Sequence, residues 1–445
     1  MALSIASTKD VSLRRVLSTW WPLAASWLLM GTELPILSAV IARLPNPEVN
    51  LAAYGGVVFP LSLIVESPII MLLAASTALS KDLASYNKLR RFMMFAGASL
   101  TALHILVAFT PLYYLVVEGI IGVPQEIVEP ARVGLMIMTP WTWSIAYRRF
   151  NQGMLIRFGH SQTIGIGTVI RLTSNGLVLT IGYLIGNIPG IIVGASAVAT
   201  GVVCEAIYVG FVKKPVVNRE LNFAPPIEPA LKWSEFWAFY IPLMMTSLLT
   251  LLANPIGSAA LSRMPEALAS LAVWPVITGL IFMFRSLGVA YNEVVVALLD
   301  EHGAFNSLRR FTAILASVTS LALFVITATP ISQFWFQSVS ALSPELSEIA
   351  QRGLWLALLL PALSVLQSWF QGAILHGRIT RGITEAVVVY LLTSAVTLVS
   401  GVIWGQVPGL YIGIAALTLS VFTQTAWLWF RGREVIKKIE ALDQS

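Results

Sequence analysis

Long apolar stretches alternate with short polar connections along almost the whole chain. Each stretch is longer than about 20 residues, the length that a helix needs to cross a hydrocarbon layer of about 30 Å. The pattern therefore predicts an all-α integral membrane protein with twelve transmembrane helices, at residues 17-43, 51-80, 92-117, 131-157, 163-186, 188-212, 233-261, 267-299, 309-338, 349-376, 382-405 and 407-430.

The first two predicted helices recur in the second half of the chain. WPLAASWLLMGTELPILSAVIARLPNPEVNLAAY at 21-54 aligns without a gap with IPLMMTSLLTLLANPIGSAALSRMPEALASLAVW at 241-274, and IPGIIVG at 188-194 is echoed by VPGLYIG at 407-413. The repeat predicts two parallel six-helix lobes, an N-terminal lobe at 1-214 and a C-terminal lobe at 233-445, joined by a cytoplasmic linker at 215-232. Such two-lobed bundles are a common transporter plan, with the substrate site between the lobes.

Composition agrees with a membrane location. The chain has 445 residues, of which 57% are hydrophobic and only 11% charged, whereas soluble proteins carry about a quarter charged residues. The first ten residues lack a basic segment followed by a small-residue cleavage site, so no removable signal peptide is expected. Cys204 is the sole cysteine, which excludes an intramolecular disulfide and leaves the redox compartment open.

The basic residues indicate the orientation. With the N-terminus inside, 22 of the 28 Lys and Arg fall on the cytoplasmic side, Arg148 and Arg149 among them, and the outer loops keep a few such as Arg43. This bias predicts a multi-pass protein of the cytoplasmic membrane with both termini in the cytoplasm. It also explains the pI near 9.5, so no nucleic-acid partner is expected.

Enzymatic signatures do not appear in the sequence. The chain has four histidines and contains no H-E-x-x-H, P-loop or G-x-S-x-G motif. Without a nucleotide-hydrolysing domain, transport must be driven by an ion gradient or by the substrate's own gradient. We therefore expect no enzyme activity, cofactor or metal ion. The expected partners are a small-molecule substrate, a proton or other coupling ion and the lipid bilayer, and the chain is expected to act as a monomer.

The helix plan and two motifs carry a family resemblance. The corner ARLPNPEVNLAAYG at 42-55 and the start of the sixth helix, IPGIIVGASAVATG at 188-201, resemble the multidrug and toxic compound extrusion (MATE) transporters of the multidrug/oligosaccharidyl-lipid/polysaccharide flippase superfamily. LAAYG at 51-55, the E-S-P at 66-68 and an acid in the first helix are most similar to the progressive ankylosis proteins. The resemblance implies a MATE-like fold and ion-coupled secondary transport, with export of a small organic or phosphate-containing anion by alternating access of rocking lobes. Antiport of cationic drugs and flipping of a lipid-linked substrate stay open.

Glu33 is the candidate for the coupling ion. It lies in the first apolar helix two residues before Pro35, and a proline frees a backbone carbonyl that could help the carboxylate to bind a proton or cation. Proton-coupled MATE proteins, by resemblance, use an acid and a bending proline in this helix. The repeat counterpart of Glu33 is Ala253, beside the polar Asn254. The alternative is a purely structural kink capped by Glu33.

Glu66 and Arg285 are candidates for the gate and the substrate site. They occupy nearly the same position in the two repeats, in the middle of the second and eighth predicted helices, so we expect them to face each other and to pair in one transport state. Arg285 released from that pair could hold an anion. Asn292 shares the helix face of Arg285, and Glu293 is turned about 80° further. Both residues, together with Asn254, are assigned to the predicted substrate and gate site. Alternatively, Glu66 or Glu293 neutralises Arg285 permanently.

Arg171 and Glu205 are expected to form a structural ion pair. They lie at equal depth on the antiparallel fifth and sixth predicted helices, and their repeat counterparts, Tyr390 and Gln424, are uncharged. His104 stands alone in an apolar segment and is interpreted as a hydrogen-bonded core residue.

Overall fold

The structure, a computed structural model, describes residues 11–299, 301, 303–376 and 381–443. All regular elements of these residues are helical, which confirms the predicted all-α class. Lys9 and Arg378, two of the cations counted as cytoplasmic, lie outside the described residues.

The first half of the described chain, up to the linker, is built from the α-helices α1 to α11. They are α1 (Leu13–Gly31), α2 (Glu33–Ile41), α3 (Pro47–Ala53), α4 (Phe59–Glu66), α5 (Leu72–Leu79), α6 (Leu83–Phe109), α7 (Leu112–Tyr114), α8 (Gln125–Ile137), α9 (Thr139–Arg157), α10 (Gln162–Ile185) and α11 (Gly190–Arg219). Because α11 continues through Pro215 to Arg219, the first residues of the predicted linker are helical.

The second half repeats this organisation. Its α-helices are α12 (Trp233–Leu261), α13 (Ala267–Val289), α14 (Tyr291–Leu298), α15 (Ala304–Ala328), α16 (Ile331–Gln333), α17 (Pro344–Trp355), α18 (Leu360–His376), α19 (Arg381–Trp404) and α20 (Gly409–Asp443). Short π-helical turns follow α3, α7 and α16, at Tyr54–Val58, Leu115–Ile121 and Phe334–Val339.

Ten helical segments of the described residues are long and apolar enough to cross a membrane, and α17 with α18, bent by 44°, makes an eleventh. This is roughly the predicted number, and the predicted span 131-157 is not among them. Pro140 has no N–H for the carbonyl of Met136, and the Thr139 hydroxyl donates to that carbonyl instead, at 2.8 Å. The span is therefore divided into α8 and α9, and α9 also carries Arg148 and Arg149.

Contacts between residues divide the chain into two compact units. Unit A comprises Met1–Pro35, Val276–Ser400 and Tyr411–Ser445, and unit B comprises Ile36–Pro275 and Gly401–Leu410. The first helix thus groups with helices of the second half. The lobes at 1-214 and 233-445 follow the sequence repeat rather than this grouping, and they stay a prediction.

The core of unit A explains why α1 belongs to it. The Trp20 ring packs edge-on against Phe311, with centroids 5.6 Å apart, and its Nε1 donates to the carbonyl of Leu287 at 3.0 Å. Tyr291 is buried in the same core, and Ile439 near the end of α20 packs against it. The long C-terminal helix therefore also stabilises this unit.

In unit B the linker is fastened to the start of α6. Asp82 is the N-cap of that helix, where its Oδ1 accepts from the N–H of Ser85 at 2.9 Å, while its Oδ2 accepts from the N–H of Ile227 at 3.1 Å. Lys88, further along α6, donates to the carbonyl of Leu231. One carboxylate thus serves both as a helix cap and as an anchor for the linker.

We expect Asp82→Ala to lower the free energy of unfolding by about 0.5–2 kcal/mol at neutral pH, as the loss of an N-cap does. Burial alone would raise the pKa of Asp82, but the hydrogen bonds from Ser85 and Ile227 outweigh it and hold the pKa below the ordinary value of 3.8. A carboxyl with a lowered folded-state pKa stabilises the protein above its unfolded pKa, and this contribution disappears as the pH falls through the folded pKa.

Thermal unfolding of the purified protein at a series of pH values measures this effect. The difference between the parent and Asp82→Ala should be largest at neutral pH and should shrink below about pH 4. The exposed Glu228→Ala in the same linker is the control and should resemble the parent. A difference that stays constant down to pH 3 would mean that the Asp82 carboxylate charge plays no part.

Candidate functional site

Glu205 on α11 is the centre of a buried polar cluster in unit B. It is 0% exposed, and it accepts hydrogen bonds from Arg148 Nη1 at 2.9 Å and from Gln152 Nε2 at 2.9 Å. Arg148 and Gln152 are four residues apart on α9, so both side chains leave the same face of that helix. Arg171 Nε on α10 lies 3.6 Å from Glu205 Oε2, which brings together the two residues of the predicted structural pair.

Close helix packing makes this arrangement possible. A Cβ added at Gly201 on α11 would lie 1.6 Å from Asn175 Oδ1 and 2.8 Å from the carbonyl of Arg171 on α10. Only glycine therefore lets α10 approach α11 at this level. One turn further along α11, Glu205 meets the arginines of α9 and α10.

The structure shows that Arg148 and Arg149 are buried or half-buried, while their side of the membrane stays a prediction. Both were counted among the cytoplasmic cations, but Arg148 is only 6% exposed and is the nearer ionic partner of Glu205, and Arg149 is half-buried. A count of charges by position does not distinguish a cation at the membrane surface from one that turns into the bundle. The signal that could have found them is their position inside an otherwise apolar predicted span.

Glu66 at the end of α4 belongs to the same cluster. It is 3% exposed, and its strongest electrostatic attraction is to Arg149, followed by Arg148 and Arg171. Its Oε2 accepts no hydrogen bond from the described residues. We call Glu66, Arg148, Arg149, Arg171 and Glu205 the arginine cluster.

The helix end that carries Glu66 follows from the local sequence. Pro68 has no N–H for the carbonyl of Ile64, and Ser67 supplies both its own N–H, at 3.3 Å, and its hydroxyl, at 2.8 Å. α4 therefore stops at Glu66, and the chain passes through a turn to α5. The carboxylate lies at this break within the predicted second helix.

Arg285 of α13 has a different environment, in unit A. It is half-buried, its Nε donates to Ser364 Oγ on α18 at 2.9 Å, and Tyr390 on α19 interacts with it electrostatically. Among the described residues of unit A, no carboxylate forms an ion pair with Arg285. Glu293 on α14 is exposed, and the hydrogen bond of Arg285 within this unit goes to the neutral hydroxyl of Ser364.

The two asparagines of the predicted site have separate surroundings. Asn292 Nδ2 donates to the carbonyl of Ser368 at 3.2 Å, so it contacts α18. The same helix carries Ser364, the hydrogen-bond partner of Arg285. Asn254 Nδ2 donates to the carbonyl of Leu251 at 3.2 Å within its own helix, α12. The structure thus brings Asn292 close to the surroundings of Arg285, while the hydrogen bond of Asn254 is local.

Glu33 lies within the first apolar span, Leu13–Ile41, directly after a one-residue break at Thr32. α1 ends at Gly31, and Glu33 is the first residue of α2 and half-buried. Pro35 has no N–H to donate to the carbonyl of Gly31, so the break precedes the proline by a turn.

Pro35 packs directly on the eighth predicted helix. A Cβ added at Gly279 of α13 would lie 3.1 Å from Pro35 Cδ, closer than an ordinary contact. The break at Glu33 and the helix that carries Arg285 are therefore neighbours within unit A. A change in the bend at Pro35 would press on α13 at this point.

His104 is hydrogen-bonded in the interior of unit B. Its Nδ1 lies 2.8 Å from Thr142 Oγ1 and its Nε2 lies 3.0 Å from the carbonyl of Leu135, and the side chain is fully buried. Both ring nitrogens have protein partners. This is the geometry expected of a core histidine.

Comparison with known proteins was made by sequence and by structure. No family model matches the sequence, and no curated protein matches it. Among solved structures, an inward-facing multidrug resistance MATE family transporter of the MOP superfamily aligns with a TM-score of 0.65 at 15% identity, over 94% of this chain and 99% of that one. The lipid II flippase MurJ in an inward closed conformation aligns with a TM-score of 0.69 at 15% identity, over 95% and 91%.

A third solved structure is a MOP superfamily transporter from Pyrococcus furiosus, described as having a binding pocket of reverse polarity. It aligns with a TM-score of 0.54 at 14% identity, over 97% of each chain. These likenesses confirm the predicted MATE-like fold of a multi-pass membrane protein. The closer resemblance to the progressive ankylosis proteins stays a prediction.

Proposed function

We propose that the chain is an ion-coupled secondary transporter that exports a small organic or phosphate-containing anion by alternating access. The observation that carries this proposal is Arg285. A guanidinium within a membrane span is costly unless a counter-charge is near, and no carboxylate of the described residues of unit A pairs with Arg285, whose Nε binds the neutral hydroxyl of Ser364. An anionic substrate would supply the missing charge.

The groups around Arg285 suit carboxylates and phosphates. A guanidinium presents a planar fork that matches two oxygens of either anion, and its Nε already binds Ser364, which fixes the direction of the fork. The Ser364 oxygen accepts that bond, so its own hydroxyl hydrogen remains available to a substrate. Tyr390 offers a second hydroxyl from α19. A cationic drug would be repelled at this position.

Equilibrium binding tests this proposal on the purified protein. Titration with citrate and with pyrophosphate should give saturable binding to the parent, and Arg285→Gln should bind at least about tenfold more weakly, since a hydrogen bond to a charged group contributes about 1.5–3 kcal/mol. A cationic dye should not compete. Equal anion affinity in both proteins would remove the basis of the proposal.

A second candidate function, flipping of an anionic lipid-linked substrate, is favoured by the arginine cluster. The sequence places Glu33, Glu66 and Glu293 beside Arg285 in the predicted site, but Glu293 is exposed, and Arg148 and Arg149 turn inward. Unit B thus contains inward-facing guanidinium groups that the predicted site does not include. Transport of a fluorescent lipid-linked pyrophosphate without transport of citrate would favour this candidate over the first.

The coupling step in this proposal belongs to Glu33. Its place at the start of α2, next to the contact between Pro35 and Gly279, supports a role in which a proton on the carboxyl changes the bend of the helix. The gate pair of Glu66 and Arg285 rests on their repeat positions alone, and it stays a prediction.

Glu33→Gln, which mimics the protonated carboxyl, should still bind substrate but should lose dependence on a pH gradient. Uptake into proteoliposomes with and without an imposed gradient measures this, and Pro35→Ala should retain the pH response with a lower maximal rate. Glu348→Gln, at an exposed ion pair, is the matched control. If Glu33→Gln keeps the parent's pH response, Glu33 is a structural helix start and coupling lies elsewhere.

A further inference from the structure

A groove runs along the surface of unit B between α9 and α11, and its lining residues Tyr147 and Ala206 are the chain neighbours of Arg148 and Glu205. It encloses about 370 Å³, within the range of ligand pockets. Among its lining residues are Trp143, Tyr147, Ile207, Gly210, Phe211 and Lys214. Its lining residues on α11 extend at helical spacing from Val203 to Lys214, so the groove follows that helix for about three turns, on the order of 16 Å.

The middle of the groove is apolar, and its side chains are exposed at the protein surface. Ile207 is 55% exposed and Phe211 is 64% exposed, and both lie on a predicted transmembrane helix. Gly210 forms part of the floor, where an added Cβ would lie 3.0 Å from the Tyr147 hydroxyl. Exposed apolar side chains at membrane depth face hydrocarbon, so the natural occupant of this part is an acyl chain.

One end of the groove is positively charged. Lys213 Nζ lies 4.5 Å from the centroid of the Tyr147 ring, and Lys214 Nζ lies 5.1 Å from that of Phe211. Neither lysine forms an ion pair with a carboxylate of the described residues. In the predicted orientation this end meets the cytoplasmic surface of the membrane, where anionic lipid headgroups are concentrated.

We propose that this groove binds one anionic phospholipid of the cytoplasmic leaflet, with an acyl chain between α9 and α11 and the headgroup phosphate at Lys213 and Lys214. Basic pockets between helices at this surface suit such headgroups. The aromatic side chains of Trp143, Tyr147 and Phe211 line the passage from headgroup to chain, the depth at which aromatic rings are favoured in membranes. The site is independent of the transported substrate.

Thermal unfolding and native mass spectrometry of the delipidated, full-length protein test this inference. Added phosphatidylglycerol should raise the melting temperature saturably, with one tightly bound lipid per chain. Phosphatidylcholine, diacylglycerol and free glycerol 3-phosphate should have little effect, because each lacks either the net charge or the chain.

Two variants and one control locate the site. Lys213→Gln with Lys214→Gln should weaken phosphatidylglycerol binding by about fivefold for each lysine removed. Gly210→Leu should also weaken phosphatidylglycerol binding, because the leucine side chain fills the groove. If the double lysine variant does not fold, Gly210→Leu alone tests the proposal. Lys81→Gln, an exposed lysine elsewhere on the predicted cytoplasmic side, should bind like the parent. Unchanged affinity in the lysine and Gly210 variants, or equal stabilisation by diacylglycerol or glycerol 3-phosphate, would overturn the proposal.

Discussion

Glu205→Gln should lower the free energy of unfolding by about 3–5 kcal/mol, because it removes one partner from a buried ion pair and leaves the other charge uncompensated. Glu205 is fully buried and accepts hydrogen bonds from both Arg148 and Gln152. Water therefore has little access to solvate the Arg148 charge that the substitution leaves unpaired. Denaturant or thermal unfolding in detergent measures the effect. Expression in the membrane should fall in parallel.

A double-mutant cycle isolates the pair from the general cost of substitution. Arg148→Gln should destabilise by a similar amount, and Arg148→Gln combined with Glu205→Gln should cost clearly less than the sum, since each charge is then absent. Glu348→Gln breaks an exposed pair with Arg352 and should cost less than about 1 kcal/mol. Additive effects at positions 148 and 205 would contradict the buried pair.

Arg285→Gln should reduce anion transport at least about tenfold while leaving the protein folded. Loss of a hydrogen bond to a charged group costs about 1.5–3 kcal/mol, which corresponds to a factor of about 10 to 150 in affinity. Arg285→Lys keeps the charge but loses the fork, so its activity should be intermediate. Initial rates of citrate uptake into proteoliposomes measure both variants.

Two further variants accompany this prediction, one at the exposed Arg352 and one at Glu66. Arg352→Gln removes an exposed arginine and should transport like the parent. If Glu66 and Arg285 pair in one transport state, Glu66→Gln should also be slow, and exchange of the two charges should restore part of the rate. Full activity in a folded Arg285→Gln protein would refute both the gate and the anion site.

The fold was largely predictable because apolar length and an internal repeat are direct consequences of the membrane environment. Helices must satisfy their own backbone hydrogen bonds in hydrocarbon, so long apolar segments have few alternatives. The span 131-157 shows the limit of this reasoning. Its division at Met138 follows from Pro140, which has no N–H for the carbonyl of Met136, and a hydropathy pattern does not register this effect.

The candidate site was less predictable because buried polar partners depend on tertiary packing. Equal depth on a hairpin is enough to suggest the pairing of Arg171 with Glu205. It does not reveal Arg148, whose approach from α9 requires the relative rotation of three helices. Similarly, a proline indicates a break near Glu33, but the packing of Pro35 against Gly279 appears only in the structure.

Substrate flux in proteoliposomes tests the central claim, anion export by secondary transport, most directly. Labelled citrate, labelled phosphate compounds and a cationic dye are compared with and without an imposed pH gradient, in the parent and in Arg285→Gln. The account predicts that an anion moves, that the pH gradient drives its accumulation, and that Arg285→Gln reduces this movement at least about tenfold. Transport of the dye at equal rates in both proteins, with no movement of any anion, would contradict it.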